Sequence, residues 1–232
     1  MRTMCAVGMA AARQIVWKLL ALAALLAGLE LALAWRWLPN GGDFSEMLTQ
    51  ARFSFLFRCA SSLLFAILAW QGMDTRGQLG YTLRRLPLSE PAVTTVWAVL
   101  HTLCHMVLWA VQILVILILW RMWPGPNSIL ALFVTSYRDG FLHGLLPMQD
   151  VSRGVYAVLQ WMALGAASAY AGFLQREGRR SALPLICLAV SMGCFPANYA
   201  NEGLEIILLV AQGLLLAAMI FGIWRREWNG EV

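Results

Sequence analysis

Five runs of roughly twenty apolar residues recur along the chain, at residues 14–36, 53–72, 92–120, 155–174 and 204–224. An α-helix rises about 1.5 Å per residue, so about twenty such residues match the ~30 Å hydrocarbon core of a bilayer. A soluble domain of 232 residues could not turn this much apolar side chain away from water, since 60% of the residues are hydrophobic and only 12% are charged. The pattern predicts an all-α, polytopic integral membrane protein in a single domain, 1–232. It excludes a disordered chain, a collagen-like rod, a disulfide scaffold and a nucleic-acid-binding domain. No nucleic-acid partner is expected, because the net charge of +5 comes from basic residues spread between apolar runs, where they set topology.

A sixth stretch, 182–196, is shorter and holds Pro184, but it lies between the arginines at 176–180 and the polar residues 198–202. Counting it gives six transmembrane helices with both termini on one side. The stretch 127–148 is set aside as a span because Arg138, Asp139 and His143 interrupt it, at about 2.5 to 3.5 kcal/mol per charge at mid-membrane. It is expected at the surface or re-entering. Six spans collect Arg2, Arg13, Lys18, Arg76, Arg84, Arg85, Arg176, Arg179, Arg180, Arg225 and Arg226 on one face. Only Arg36, Arg52, Arg121, Arg138 and Arg153 fall on the other. The positive-inside rule then predicts cytoplasmic N- and C-termini in a bacterial inner membrane, with 73–91 inside and 121–154 outside. Residues 1–13 read as an amphipathic cytoplasmic lead-in. A signal peptide is the competing reading of this region, but the apolar run is too long and contains Glu30.

Cysteines at 5, 59, 104, 187 and 194 show no CxxC spacing and read as small packing residues, not as a zinc site or disulfide framework. Small residues at 24, 28 and 32, and Gly165, Ser168, Ala169 and Gly172, mark faces where helices approach closely. Trp35, Trp37, Trp120, Trp123, Trp224 and Trp228 fall at span ends, as interfacial tryptophans do.

Polar residues inside the apolar runs are the candidates for function. At 100° per residue, Thr94, His101, His105 and Gln112 fall on one stripe of the third span. Such a stripe cannot face lipid. It suits interhelical hydrogen bonding or a polar pathway, and His at i and i+4 can share a metal ion, although no carboxylate lies near the pair in sequence. Glu30 and Arg58 each lie six residues inside Arg36 and Arg52, roughly 9 Å deep. Antiparallel neighbours would bring them together as an intramembrane ion pair.

The connection 73–91 is too patterned for a plain loop. Leu79, Leu83 and Leu86 share a helical face while Arg76, Arg84 and Arg85 project elsewhere. Pro87 ends the turn, and Ser89-Glu90-Pro91 opens the next helix. Gly80, Thr82, Leu83, Leu86, Pro87 and Ser89 resemble the pattern of the short helix between spans two and three in the membrane subunit of type-2 ABC transporters, the exporter-like permease family. The resemblance in span count, termini and lead-in extends over nearly the whole chain. It implies that Arg76, Leu79, Gly80, Thr82, Leu83, Arg84, Arg85, Leu86 and Pro87 couple to a separate ABC ATPase. It also implies that two permease subunits, alike or similar, form the path. The chain differs from the family's usual pattern in placing its sizeable external segment at 121–154, not between its last two spans.

No GxxxxGK[ST] phosphate loop is present, so ATP hydrolysis is expected in a partner chain, with no catalytic residue, metal or cofactor in this one. The resemblance thus implies a permease subunit of an ATP-driven exporter. Two alternatives stand beside it: a membrane redox or metal-binding protein using His101 and His105, and a non-transporting anchor or sensor.

Overall fold

The computed structural model describes residues 2–37, 42–71, 89–124, 128–146, 151–195 and 202–228. These residues form nine helices and no strand: α1 (Arg2–Trp37), α2 (Phe44–Gln50), α3 (Phe53–Gln71), α4 (Glu90–Met122), α5 (Ile129–Arg138), α6 (Gly140–Leu145), α7 (Val151–Arg176), α8 (Leu183–Cys194) and α9 (Glu202–Trp228). Five of them, α1, α3, α4, α7 and α9, are long and apolar enough to cross a membrane. The chain is a membrane-embedded helical protein.

The lead-in and first span form one continuous helix of 36 residues, about 54 Å long. Alanine and leucine dominate it, and no proline interrupts it. The sixth expected span is met only in part. Its helix, α8, has 12 residues, about 18 Å against the ~30 Å core, because the chain leaves the helix at Phe195, just ahead of Pro196. Hydropathy counted apolar residues through a point where the backbone turns.

The fold is organised around α7. Its apolar stretch is 78% buried, against 17 to 44% for the other four. Small side chains make this possible, with Ala163, Ala166, Ala167, Ser168 and Ala169 all buried. At Gly165 the backbone of α4 comes so close that a Cβ would lie 2.5 Å from the Thr102 amide nitrogen and 2.7 Å from its Cα. Gly222 of α9 meets the Tyr170 ring in the same way, with 2.7 Å to the hydroxyl. Without a hydrophobic drive between helices in lipid, such close backbone approach supplies the dispersion contact that holds them.

Direction follows from these contacts. Ala11 packs with Val93 and Trp97, and Glu30 meets Gln112, so α1 and α4 run parallel. Arg176 at the end of α7 meets Glu90 at the start of α4, so those two are antiparallel. Gln160 and Gln212 both reach Ser191, and Tyr170 faces Gly222, so α7 and α9 run parallel.

At the end of the bundle where α1 stops, α2 packs Phe44 edge-on against Trp120 and Trp123, at 5.1 and 5.7 Å between centroids. Trp123 is buried and donates its indole N–H to the Gly42 carbonyl at 3.1 Å. It is therefore a packing residue, not the interfacial anchor expected from its position at a span end. Between α2 and α3, Arg52 adopts a left-handed conformation, φ 55°, which costs a non-glycine residue about 1 to 2 kcal/mol.

The segment set aside as a span folds into α5 and α6, too short to cross. Asp139 divides them and caps α6, accepting from the Leu142 amide at 2.9 Å. The Trp109 indole donates to the Leu145 carbonyl at 3.2 Å. Trp109 lies about 20 Å along α4 from its end, so α6 reaches down beside α4. Its Phe141 joins Phe57, Trp161 and Phe195 in an aromatic cluster, centroids 5.3 to 6.5 Å apart.

Burial holds the Asp139 carboxyl above its ordinary pKa. The amides of Leu142 and Phe141 oppose that shift, and the charge of Asp43 adds to it. A folded-state pKa above the unfolded one makes this group's contribution greatest in acid and lost as pH rises out of the usual carboxylate range. Asp139→Asn keeps a capping side chain and is expected to be more stable than wild type at pH 7, with the gap closing toward pH 4 in thermal unfolding. The Gly165 contact gives a sharper test: Gly165→Leu should lower stability by about 1 to 3 kcal/mol or more through overpacking, whereas Gly28→Ala, on the helical backbone of α1 where a Cβ meets nothing within 4 Å, should leave stability unchanged or slightly raised. Thermal unfolding in detergent reads both.

Candidate functional site

Thr94, His101, His105 and Gln112 are all buried, as the stripe predicts. They span about 27 Å along α4, nearly the thickness of the hydrocarbon core. The face they form meets α7 along most of its length and α1 at its far end.

At the first end, Arg176 closes onto α4. Its Nε reaches Glu90 Oε1 at 2.6 Å and its Nη2 donates to Thr94 Oγ1 at 3.1 Å. Thr94 in turn donates to the Glu90 carbonyl at 2.9 Å. The guanidinium also lies 6.0 Å from the centroid of the Trp97 ring, within cation–π range. Glu90 sits in the first turn of α4 and Arg176 in the last turn of α7, so each charge also complements its helix dipole.

About two turns along from Thr94, His101 Nδ1 lies 2.8 Å from Ser168 Oγ. The Ser168 hydroxyl donates to the Gly165 carbonyl at 2.9 Å, which leaves its oxygen to accept from His101. Neutral His101 is then the Nδ1–H tautomer, with a bare lone pair on Nε2. That atom has no hydrogen-bond partner among the described residues, and neither do the two nitrogens of His105. His105 stacks on Trp161, with 6.2 Å between centroids and planes 13° apart. At the far end, Gln112 Nε2 donates to Glu30 Oε2 at 2.9 Å.

The intramembrane Glu30–Arg58 ion pair is not formed. Glu30 is fully buried against α4, while half-buried Arg58 turns its Nε to the Ser54 carbonyl of its own helix at 3.3 Å. Depth along a span does not fix rotation about the helix axis, and Gln112 faces Glu30 instead. A second polar node joins α7, α8 and α9. Gln160 Nε2 donates to the Ser191 carbonyl at 2.7 Å and Gln212 Nε2 to its hydroxyl at 2.9 Å. Sequence reasoning passed over Gln160 and Gln212, although a glutamine inside an apolar run is itself the signal.

No group of three metal-ligating side chains occurs among the described residues. His101 and His105 stand one turn apart with no third His, Cys, Asp or Glu completing a set. The segment bearing Arg76, Leu79, Gly80, Thr82, Leu83, Arg84, Arg85, Leu86 and Pro87 lies outside the described residues; Ser89, just beyond it, is the N-cap of α4, with Pro91 in the first turn. Comparison with models of known protein families, with curated proteins and with solved structures found no match to this chain.

Chemically the seam is a row of hydrogen-bonding groups in a water-poor interior, charged at its Glu90–Arg176 end and neutral imidazole and amide between. Its Gln112–Glu30 contact can be weighed directly. A double-mutant cycle of Gln112→Ala with Glu30→Ala should give a coupling of about 0.5 to 3 kcal/mol, because the two share a buried hydrogen bond. The cycle of Arg58→Ala with Glu30→Ala should be additive within about 0.5 kcal/mol. Unfolding free energies measured in mixed micelles decide between the pairs.

Proposed function

We propose that this chain is the membrane permease subunit of an ATP-driven exporter of the type-2 ABC class, paired with a second permease subunit and driven by a separate ATPase. In this reading residues 76–90 face the cytoplasm and dock on the ATPase, as the charge bias of the connections suggests. The chain then makes six crossings with cytoplasmic termini. Support for the sixth comes from the parallel run of α7 and α9, which obliges the chain between them to return along α8. A locally thinned bilayer accommodates the short helix.

The observation that carries the reading is the clamp behind the docking segment. In sequence the docking segment is followed by Ser89, the N-cap of α4, and the first turn of α4 is tied through Glu90 and Thr94 to Arg176 of α7. A push on the segment is thereby delivered to the most buried helix of the bundle. α9 turns Ile206, Ile207, Val210, Leu214 and Phe221 outward, an apolar surface for lipid or the second subunit. The substrate path then runs between the two subunits.

Copurification with an ATPase encoded beside this chain, followed by reconstitution, tests the proposal. Leu83→Asp should abolish ATPase binding, since a carboxylate would be buried without a partner. Arg176→Gln should bind the ATPase normally and cost only about 0.2 to 1 kcal/mol of stability, the Glu90 side of the pair being half exposed. It should nevertheless lower substrate-stimulated hydrolysis at least about fivefold, equivalent to roughly 1 kcal/mol. Normal assembly and normal stimulation in both variants would remove the permease reading.

A further inference from the structure

A cleft of about 620 Å³ opens between the end of α1 and the α2–α3 turn, lined by Leu33, Arg36, Trp37, Arg52, Phe55 and Leu56 among others. The apolar stretch of α1 ends at Trp37 and that of α3 begins at Phe53. Arg36 and Arg52 therefore stand at the same membrane boundary, with Leu33, Phe55 and Leu56 about one turn further into the apolar layer. Both arginines are exposed, and no acidic side chain pairs with either among the described residues.

Arg52 is an unexpected residue for its place. Its left-handed backbone closes α2, with its amide donating to the Thr49 carbonyl, and opens α3, with its carbonyl accepting from Phe55 and Leu56. Glycine or asparagine suits such a helix-ending position, and a cation at the start of a helix opposes the helix dipole. A residue that breaks two local preferences with no gain to the fold points to a role outside the fold.

We infer that this cleft binds the phosphate-bearing headgroup of an anionic phospholipid, with Arg36 and Arg52 on the phosphate and Leu33, Phe55 and Leu56 against the glycerol end of the acyl chains. Guanidinium groups match phosphate oxygens in geometry and charge. A floor that turns apolar within one helical turn suits an amphiphile better than a soluble phosphate, and the Trp37 ring at the rim is of the kind that settles at headgroup level. The inference stands apart from the permease reading, since it needs only that α1 and α3 cross the membrane.

The test is native mass spectrometry of the full-length protein in detergent with phosphatidylglycerol and phosphatidylcholine of identical acyl chains, and separately with inorganic phosphate. Wild type should retain phosphatidylglycerol about tenfold better than phosphatidylcholine. Arg36→Gln with Arg52→Gln should erase that preference, and Arg180→Gln, which removes an exposed charge at the opposite end of the bundle, close in sequence to the Arg176–Glu90 pair, should keep it. Arg52→Gly guards against loss of folding as the cause: glycine fits the backbone there, so thermal stability should hold while the lipid preference falls. Preference retained in the double variant or in Arg52→Gly, or no preference in wild type, would overturn the assignment. Displacement by inorganic phosphate without any lipid preference would also overturn it, placing a soluble phosphate there instead.

Discussion

A polar face on a helix in hydrocarbon has to meet protein, because each unpaired hydrogen-bonding group left against lipid costs several kcal/mol. Thr94, His101, His105 and Gln112 put such a face on α4, and the remainder of the bundle is arranged to cover it. α7 lies along most of its length, brought to backbone contact by Gly165 against Thr102. α1 covers the far end with Glu30. The two requirements reinforce each other: only a helix of alanine, glycine and serine can approach α4 closely enough for Ser168 to reach His101. The other faces of that helix carry large apolar side chains, Trp161, Tyr170 and Phe173 among them, which α3, α8 and α9 help to bury.

The stripe was legible because helical geometry alone fixes which residues of one helix share a face. Its partners were not, because Ser168 lies 67 residues from His101 and Glu30 lies 82 from Gln112, and periodicity carries no information about which helices meet. The Glu30–Arg58 expectation failed for that reason. Gly165, Ser168 and Ala169 were readable as a packing face, but not that Thr102 was the surface packed upon. Arg176 was counted as a topological charge, and only the antiparallel arrangement of α4 and α7 shows it closing on Glu90. Trp123 illustrates the reverse error: its place at a span end suggested the interface, whereas Phe44 of α2 encloses it.

The seam and the clamp also connect the structure to the proposed activity. Force arriving at the first turn of α4 has a direct polar route into α7 through Arg176, and α7 touches most of the other spanning helices. Small movements of so enclosed a helix have to be taken up by its neighbours, since a close-packed interior transmits displacement instead of absorbing it. The Glu90–Arg176 pair is the exposed end of that route, while His101 Nε2 and the two ring nitrogens of His105, which have no hydrogen-bond partner among the described residues, lie further along the seam.

All of this depends on the polar face of α4 being turned toward α7 in the membrane. The most direct measurement is disulfide cross-linking in native membranes, in a background free of other cysteines. His101→Cys combined with Ser168→Cys should form an intramolecular disulfide rapidly under mild oxidation, because the native side chains are 2.8 Å apart. Leu103→Cys with Ser168→Cys should not, because Leu103 projects outward and is 52% exposed. A link at 103 and 168 with none at 101 and 168 would contradict the arrangement, since it would turn the histidines to the lipid and leave α7 packed on the wrong face.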